Sequence, residues 1–251
     1  MRLAIAPTTV PDALPLDYLD AAIGSGCEAL GLRLDRSPNL PYYPVGGDAP
    51  LIREMKSRLA DARMPVLDIF TFYLEAACDF EQFTRSLALG AEFGARFALV
   101  QGDDPDPVRL VHTFARFCDV AAIYGISAVI EFNPARPLAT CKQALQLIER
   151  AGKSNAAICV DPLHLARSGG VPSDLRSIDP RLLPYAQFSD GWLNPVARSL
   201  PGEGELPLRE FVAALPADTM LSVEVPLPPG SRFSTAAWVK HVIDCTRTYL
   251  C

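Results

Sequence analysis

Short apolar runs alternate eight times with longer segments of helical periodicity along this 251-residue chain. The runs cover residues 2–6, 28–34, 65–72, 96–101, 126–132, 156–161, 183–189 and 219–225. Helical patterns follow at 16–26, 49–63, 79–94, 107–124, 138–152, a short one near 174–178, 205–215 and 232–249. Helical spacers between strands imply parallel pairing through right-handed crossovers. Eight such units in about 250 residues predict an α/β fold, a closed (β/α)8 TIM barrel forming a single domain over residues 1–251. An open, doubly wound sheet is the alternative.

Four of the later runs end on a polar residue: Ser127-Ala-Val-Ile-Glu131, Ala157-Ile-Cys-Val-Asp161, Leu183-Pro-Tyr-Ala-Gln187 and Met220-Leu-Ser-Val-Glu224. Side chains alternate across a strand. Glu131 therefore shares a face with Val129 and Ser127, Asp161 with Cys159 and Ala157, and Glu224 with Ser222 and Met220. The opposite faces carry Ile130, Phe132, Ile158, Val160, Leu221 and Val223. The bulkier set suits the helix-facing side and the smaller set a crowded barrel interior. The polar ends then point inward at the carboxyl ends of the strands, where barrel active sites are built. Three carboxylates and an amide converging there read as a cage for one hard divalent cation, Mn or Mg first and Co or Zn as further options. A carboxylate this late in an apolar strand is costly unless paired or metal-bound.

Each residue also has a plainer reading. Glu131 could pair with an arginine, and Asp161 before Pro162 is a common helix N-cap. His164 lies one turn beyond Asp161, so both side chains can lean toward the mouth. His112 and His241 fall in helical patterns and read as structural. Arg33, Asp68 and Gln101 are further candidates for the mouth. Tyr42, Tyr43, Phe72, Tyr73 and Trp192 are candidates for shaping the pocket. Residues 190–208 read as a loop after the seventh strand: a mobile surface segment, or a lid that brings Arg198 over a substrate. Gly202-Glu-Gly204 lacks the third glycine of a dinucleotide fingerprint.

Composition narrows the function classes. Apolar residues at 49% supply a large core, and the net charge of −6 comes with no basic run or stripe, which argues against nucleic acid. No stretch reaches the ~18 apolar residues of a membrane span, and no secretory leader is legible. Seven scattered cysteines without a Cys-x-x-Cys fit a reducing cytoplasm and disfavour a thiolate metal site. The 23 prolines, roughly twice average usage, cluster just after strand ends and would stiffen the mouth loops.

Glu131, the run Asp161-x-x-His164-x-x-Arg167-Ser-Gly-Gly170, Gln187-Phe-Ser-Asp190, Pro201-Gly-Glu-Gly204 and Glu224 together resemble the xylose isomerase-like barrel superfamily of sugar isomerases and epimerases, which includes endonuclease IV. The resemblance covers nearly the whole chain. It implies a divalent metal, often Mn, held by Glu131, Asp161, Gln187 and Glu224. It makes His164 an acid/base or polarising group and Arg198 a substrate clamp; Arg33 and Gln101, from their strand faces, are expected as further substrate contacts. Gln187 departs from the histidine of many epimerases and is similar to the glutamine of 3-dehydroshikimate dehydratases.

The implied activity is isomerisation or epimerisation of a small ketose, sugar or sugar phosphate through a cis-enediolate. Glu131 or Glu224 would take the proton alpha to the carbonyl and the other would return one. A lyase with the same intermediate is the alternative. Endonuclease chemistry is disfavoured, because three histidines cannot build a histidine-rich trinuclear zinc site. A non-catalytic binding barrel is the remaining rival. The expected partners are a small-molecule substrate and, through the resemblance, a second copy of the chain.

Overall fold

The computed structural model describes residues 1–34, 41 and 43–251. Its strands are β1 (Leu3–Ile5), β2 (Ala29–Leu32), β3 (Val66–Leu74), β4 (Phe97–Gly102), β5 (Ser127–Glu131), β6 (Ala156–Cys159), β7 (Tyr185–Phe188), β8 (Asp190–Leu193), β9 (Val196–Ser199) and β10 (Met220–Val223). The helices are α1 (Pro15–Ser25), α2 (Ala49–Asp61), α3 (Phe80–Glu92), α4 (Pro107–Ile123), α5 (Cys141–Ala151), α6 (Pro162–Arg167), α7 (Leu208–Ala214) and α8 (Thr235–Leu250).

Among the described residues, eight strands form one parallel sheet in the order β6-β5-β4-β3-β2-β1-β10-β7. A bridge between Val160 and Ala186, with the Gln187 amide donating to the Val160 carbonyl at 3.1 Å, brings β7 back to the β6 side. The fold is a (β/α)8 barrel, as the alternation predicts.

The two faces sort as the alternation requires. Val129, Ala157, Cys159 and Met220 lie in an inner cluster with Ala4, Ala6, Ala29, Leu67, Phe70, Phe97, Leu99 and Tyr185. Ile130, Phe132, Ile158, Val160, Leu221 and Val223 pack outward in the larger core beneath the helices. The small residues of this interior leave room for Phe97 and Tyr185, whose rings meet at 5.4 Å.

Helix starts on the mouth side are fixed locally. Asp106, Asp161 and Thr140 accept hydrogen bonds from the first free amides of α4, α6 and α5. Each satisfies donors that the helix itself leaves open.

Three expectations are revised. The segment after β7 is a β-hairpin: β8 and β9 pair antiparallel, with Gly191 opposite Arg198 and Leu193 opposite Val196. The short helix expected near 174–178 is a 3-10 turn at Pro172–Ser177, and the α-helix of that unit is α6. Phe72 is not a mouth residue. It belongs to β3, is 1% exposed, and packs outward against Phe83 and Phe117 with ring centroids 5.4 and 5.0 Å away. Tyr42 lies outside the described residues.

Candidate active site at the carboxyl ends of the strands

Asp161 is the pivot of the mouth. Its Oδ1 accepts from the Leu163 and His164 amides at 2.8 and 3.0 Å, which caps α6. Its Oδ2 accepts from Arg198 Nη1 at 2.6 Å. The N-cap reading and the site reading of this residue both hold, one on each oxygen. The cap fixes the first turn of α6 and so brings the His164 ring to the mouth. Ligand atoms of Glu131, Asp161 and His164 lie within 4.8 Å of one another.

Arg198 arrives from β9. Strand alternation sends it inward from a hairpin whose Trp192, Leu193 and Val196 are exposed. Its Nη1 also donates to Ser189 Oγ at 2.8 Å, and its Nη2 stands 3.4 Å from Glu224 Oε2. The other Glu224 oxygen accepts from Thr8 Oγ1 at 2.8 Å. Glu131 Oε2 accepts from Gln101 Nε2 at 2.5 Å. Gln101, expected as a substrate contact, is thus turned onto Glu131.

Glu131 Oε1, Gln187 Oε1 and His164 Nδ1 are among the buried atoms that have no hydrogen-bond partner within the described residues. Buried polar atoms are seldom left so, and each asks for a ligand, a water or an ion. Three carboxyl groups also share this mouth with a single guanidinium. Unpartnered oxygens, an unpartnered ring nitrogen and an excess of carboxyl groups over cationic ones fit a divalent cation.

The charges respond to this crowding. Burial pushes the Glu131 carboxyl well above its usual range, and the charges of Glu224 and Asp161 push it further. Burial also raises Glu224, against the pull of Arg198. For Asp161, burial acts upward but loses to Arg198, His164 and the helix amides, so its carboxyl stays below the usual value. Burial lowers the His164 ring to about 4 despite Asp161, which keeps the imidazole neutral near pH 7.

Asp68 is fully buried in β3, and neither of its oxygens nor the Tyr185 hydroxyl has a well-formed hydrogen bond among the described residues. Gly31 makes room for it, since a Cβ there would lie 2.5 Å from Asp68 Oδ1. Burial raises the Asp68 carboxyl to about 7; Tyr185 offsets part of this and Glu224 adds to it. Folding therefore favours its acid form, and stability falls as pH rises from about 4, the unfolded value, toward 7. Asp68→Asn removes that dependence. The expected result is an unfolding midpoint that gains a few degrees on wild type at pH 8 relative to pH 5. Equal differences at the two pH values would contradict it.

Arg33 is not brought to the cluster. Its Nη2 donates to the Pro11 carbonyl at 2.6 Å, and the side chain lines a small cavity with Tyr18, Tyr43 and Met55. Thr8 and Ser189 belong to the site without having been expected. Ser189 was detectable, because it shares the inward face of Gln187. Thr8 carries no such signal, since it sits in a 3-10 turn after β1.

The Gln187-Phe-Ser-Asp190 and Pro201-Gly-Glu-Gly204 segments meet in one knot. Asp190 accepts from the amides of Gly191, Leu206 and Gly202 at 2.8, 3.1 and 2.9 Å. A Cβ on Gly204 would overlap the Asp190 carboxylate and lie 2.5 Å from the Gly191 nitrogen, so only glycine fits. This knot anchors the base of the hairpin that carries Arg198.

Known proteins resemble this chain in sequence and in fold. An inosose isomerase of Halalkalibacterium halodurans is 25% identical over 147 residues, 54% of this chain and 52% of that protein. The chain thus matches about half the length of this curated relative. The IOLI protein solved with a bound zinc atom superposes with a TM-score of 0.82 at 14% identity, covering 100% of this chain and 98% of the other. D-psicose 3-epimerase solved in the presence of D-fructose gives 0.77 at 16% identity, with 99% and 98% covered. The model of the xylose isomerase-like TIM barrel family matches residues 19–249, and the chain belongs to that family.

Proposed function

We propose that this protein is a divalent-metal-dependent isomerase or epimerase acting on a small polyhydroxy ketone, a ketose or a cyclic ketose. The observation that carries the reading is the set of unpartnered buried atoms, Glu131 Oε1, Gln187 Oε1 and His164 Nδ1, in a mouth with three carboxyl groups and one guanidinium. Glu131, Asp161, Gln187 and Glu224 would hold the ion, with Mn or Mg suited to their oxygens. Bound there, it would polarise a substrate carbonyl and acidify the neighbouring C–H.

The side chains supply the rest. Glu224, with one oxygen on Thr8 and the other beside Arg198, is positioned to take the proton alpha to the carbonyl. Glu131, held in place by Gln101, returns a proton at the opposite face or the neighbouring carbon. Neutral His164 donates to the oxygen on which charge develops. The relatives, an inosose isomerase and a ketose epimerase fold, support a carbonyl sugar as substrate.

The alternative is a lyase with the same intermediate, dehydration of 3-dehydroshikimate, for which the glutamine at position 187 speaks. The test is incubation of the Mn-loaded protein in D2O with ketoses, inososes and 3-dehydroshikimate. Solvent deuterium alpha to the carbonyl together with a new isomer is expected for a ketose or inosose. An aromatic, ultraviolet-absorbing product from 3-dehydroshikimate, or no exchange with any substrate, would overturn the reading.

A further inference from the structure

Asp161 and Glu224 each have one oxygen already engaged by the fold. Asp161 Oδ1 caps α6, and Glu224 Oε1 holds the Thr8 hydroxyl. The oxygens left over are Asp161 Oδ2 and Glu224 Oε2, and both face the Arg198 guanidinium, at 2.6 and 3.4 Å. Arg198 is also the charged group that the hairpin sends into the mouth, and its side chain is 13% exposed. A guanidinium and a dication drawing on the same two oxygens would repel each other at contact distance in a desolvated site.

We infer that Arg198 is a latch: it occupies the metal-facing oxygens of Asp161 and Glu224 in the metal-free protein, and the metal displaces it. The inference rests on the metal reading above. It adds an order of events. The ion must take the two oxygens from Arg198 before the site is complete. The released guanidinium keeps Ser189 as a neighbour and turns its remaining donors to an oxygen of the substrate. Metal binding and substrate anchoring are then coupled through one side chain, with the hairpin base held in place by the Asp190 knot.

The test compares wild type, Arg198→Lys and Arg198→Gln by Mn calorimetry and by thermal unfolding with and without Mn. Lysine keeps the charge but cannot span two carboxylates with a planar fork. A latch predicts that both variants bind Mn more tightly than wild type, by about tenfold for coupling of ordinary size. It also predicts that the loss of unfolding midpoint caused by Arg198→Lys shrinks at saturating Mn. If Arg198→Lys matches wild type while Arg198→Gln alone binds more tightly, plain charge repulsion explains the data and the latch fails. Weaker binding in both variants would make Arg198 a support of the metal and would also overturn it. Absence of Mn binding in all three proteins would instead remove the metal reading, and the latch with it.

Discussion

Glu131→Gln is expected to lower turnover by about two to four orders of magnitude, the range for loss of a positioned acid/base group, while the metal-free protein unfolds no earlier than wild type. The two effects have opposite signs because the residue is functional and costly at once. Glu131 is 3% exposed, and burial with two neighbouring carboxylates disfavours its charged form. Glutamine fills the same space, and its carbonyl oxygen can still accept from Gln101 Nε2, which now bonds Glu131 Oε2. Removing a destabilised charge from that position relieves the fold but takes away the group that returns the proton. Bound metal measured alongside divides the role: metal and turnover lost together mark a ligand, and normal metal with lost turnover marks proton transfer. Turnover within a few-fold of wild type would exclude Glu131 from the chemistry.

Asp161→Ala is expected to be among the most destabilising single changes in the protein. It breaks a buried ion pair and leaves Arg198 only the longer contact to Glu224, at 3.4 Å; removing one partner of a buried pair costs up to about 3–5 kcal/mol. It also removes the cap on two amides of a six-residue helix, about 0.5–2 kcal/mol more. Asp161→Asn separates the two contributions, because its amide oxygen can still accept from the Leu163 and His164 amides while Arg198 is left with Glu224 as its charged partner. Urea unfolding at pH 7 measures both variants. The sign with pH follows from Arg198: the Asp161 carboxyl is held below its unfolded value, so its stabilisation is present above about pH 4 and is lost as pH falls through the folded value. Asp161→Asn should lack that acid-side loss. A cost below about 1 kcal/mol for Asp161→Ala, the level of an exposed pair, would mean that the ion pair does not hold the mouth.

The barrel was legible because its signals are local and periodic. Val129, Cys159 and Met220 alternate with Ile130, Val160 and Leu221, and that period alone assigned the inner and outer faces later found in two separate clusters. Glu131, Asp161, Gln187 and Glu224 stood out because polar side chains are costly at the ends of apolar strands. What stayed hidden depends on long-range pairing. Gln101 turning onto Glu131 spans 30 residues, and Arg198 reaching Asp161 spans 37. No local pattern reports either contact. The hairpin was missed for a different reason. Its strands are four residues each, and Asn194-Pro195 joins them where the usual Asn-Gly signal is absent. Phe72 was misassigned because β3 runs on to Leu74, with a shift of register between Ile69 and Phe72 that breaks the simple alternation.

The account stands most directly on whether the mouth holds a divalent ion, and the decisive measurement is elemental analysis of the purified protein after loading with Mn, with Glu224→Ala as control. The predicted result is one ion per chain, lost or sharply reduced in the variant. No bound ion in the wild-type protein, even after loading, would contradict the assignment of Glu131, Asp161, Gln187 and Glu224 as a metal site and the carbonyl chemistry built on it.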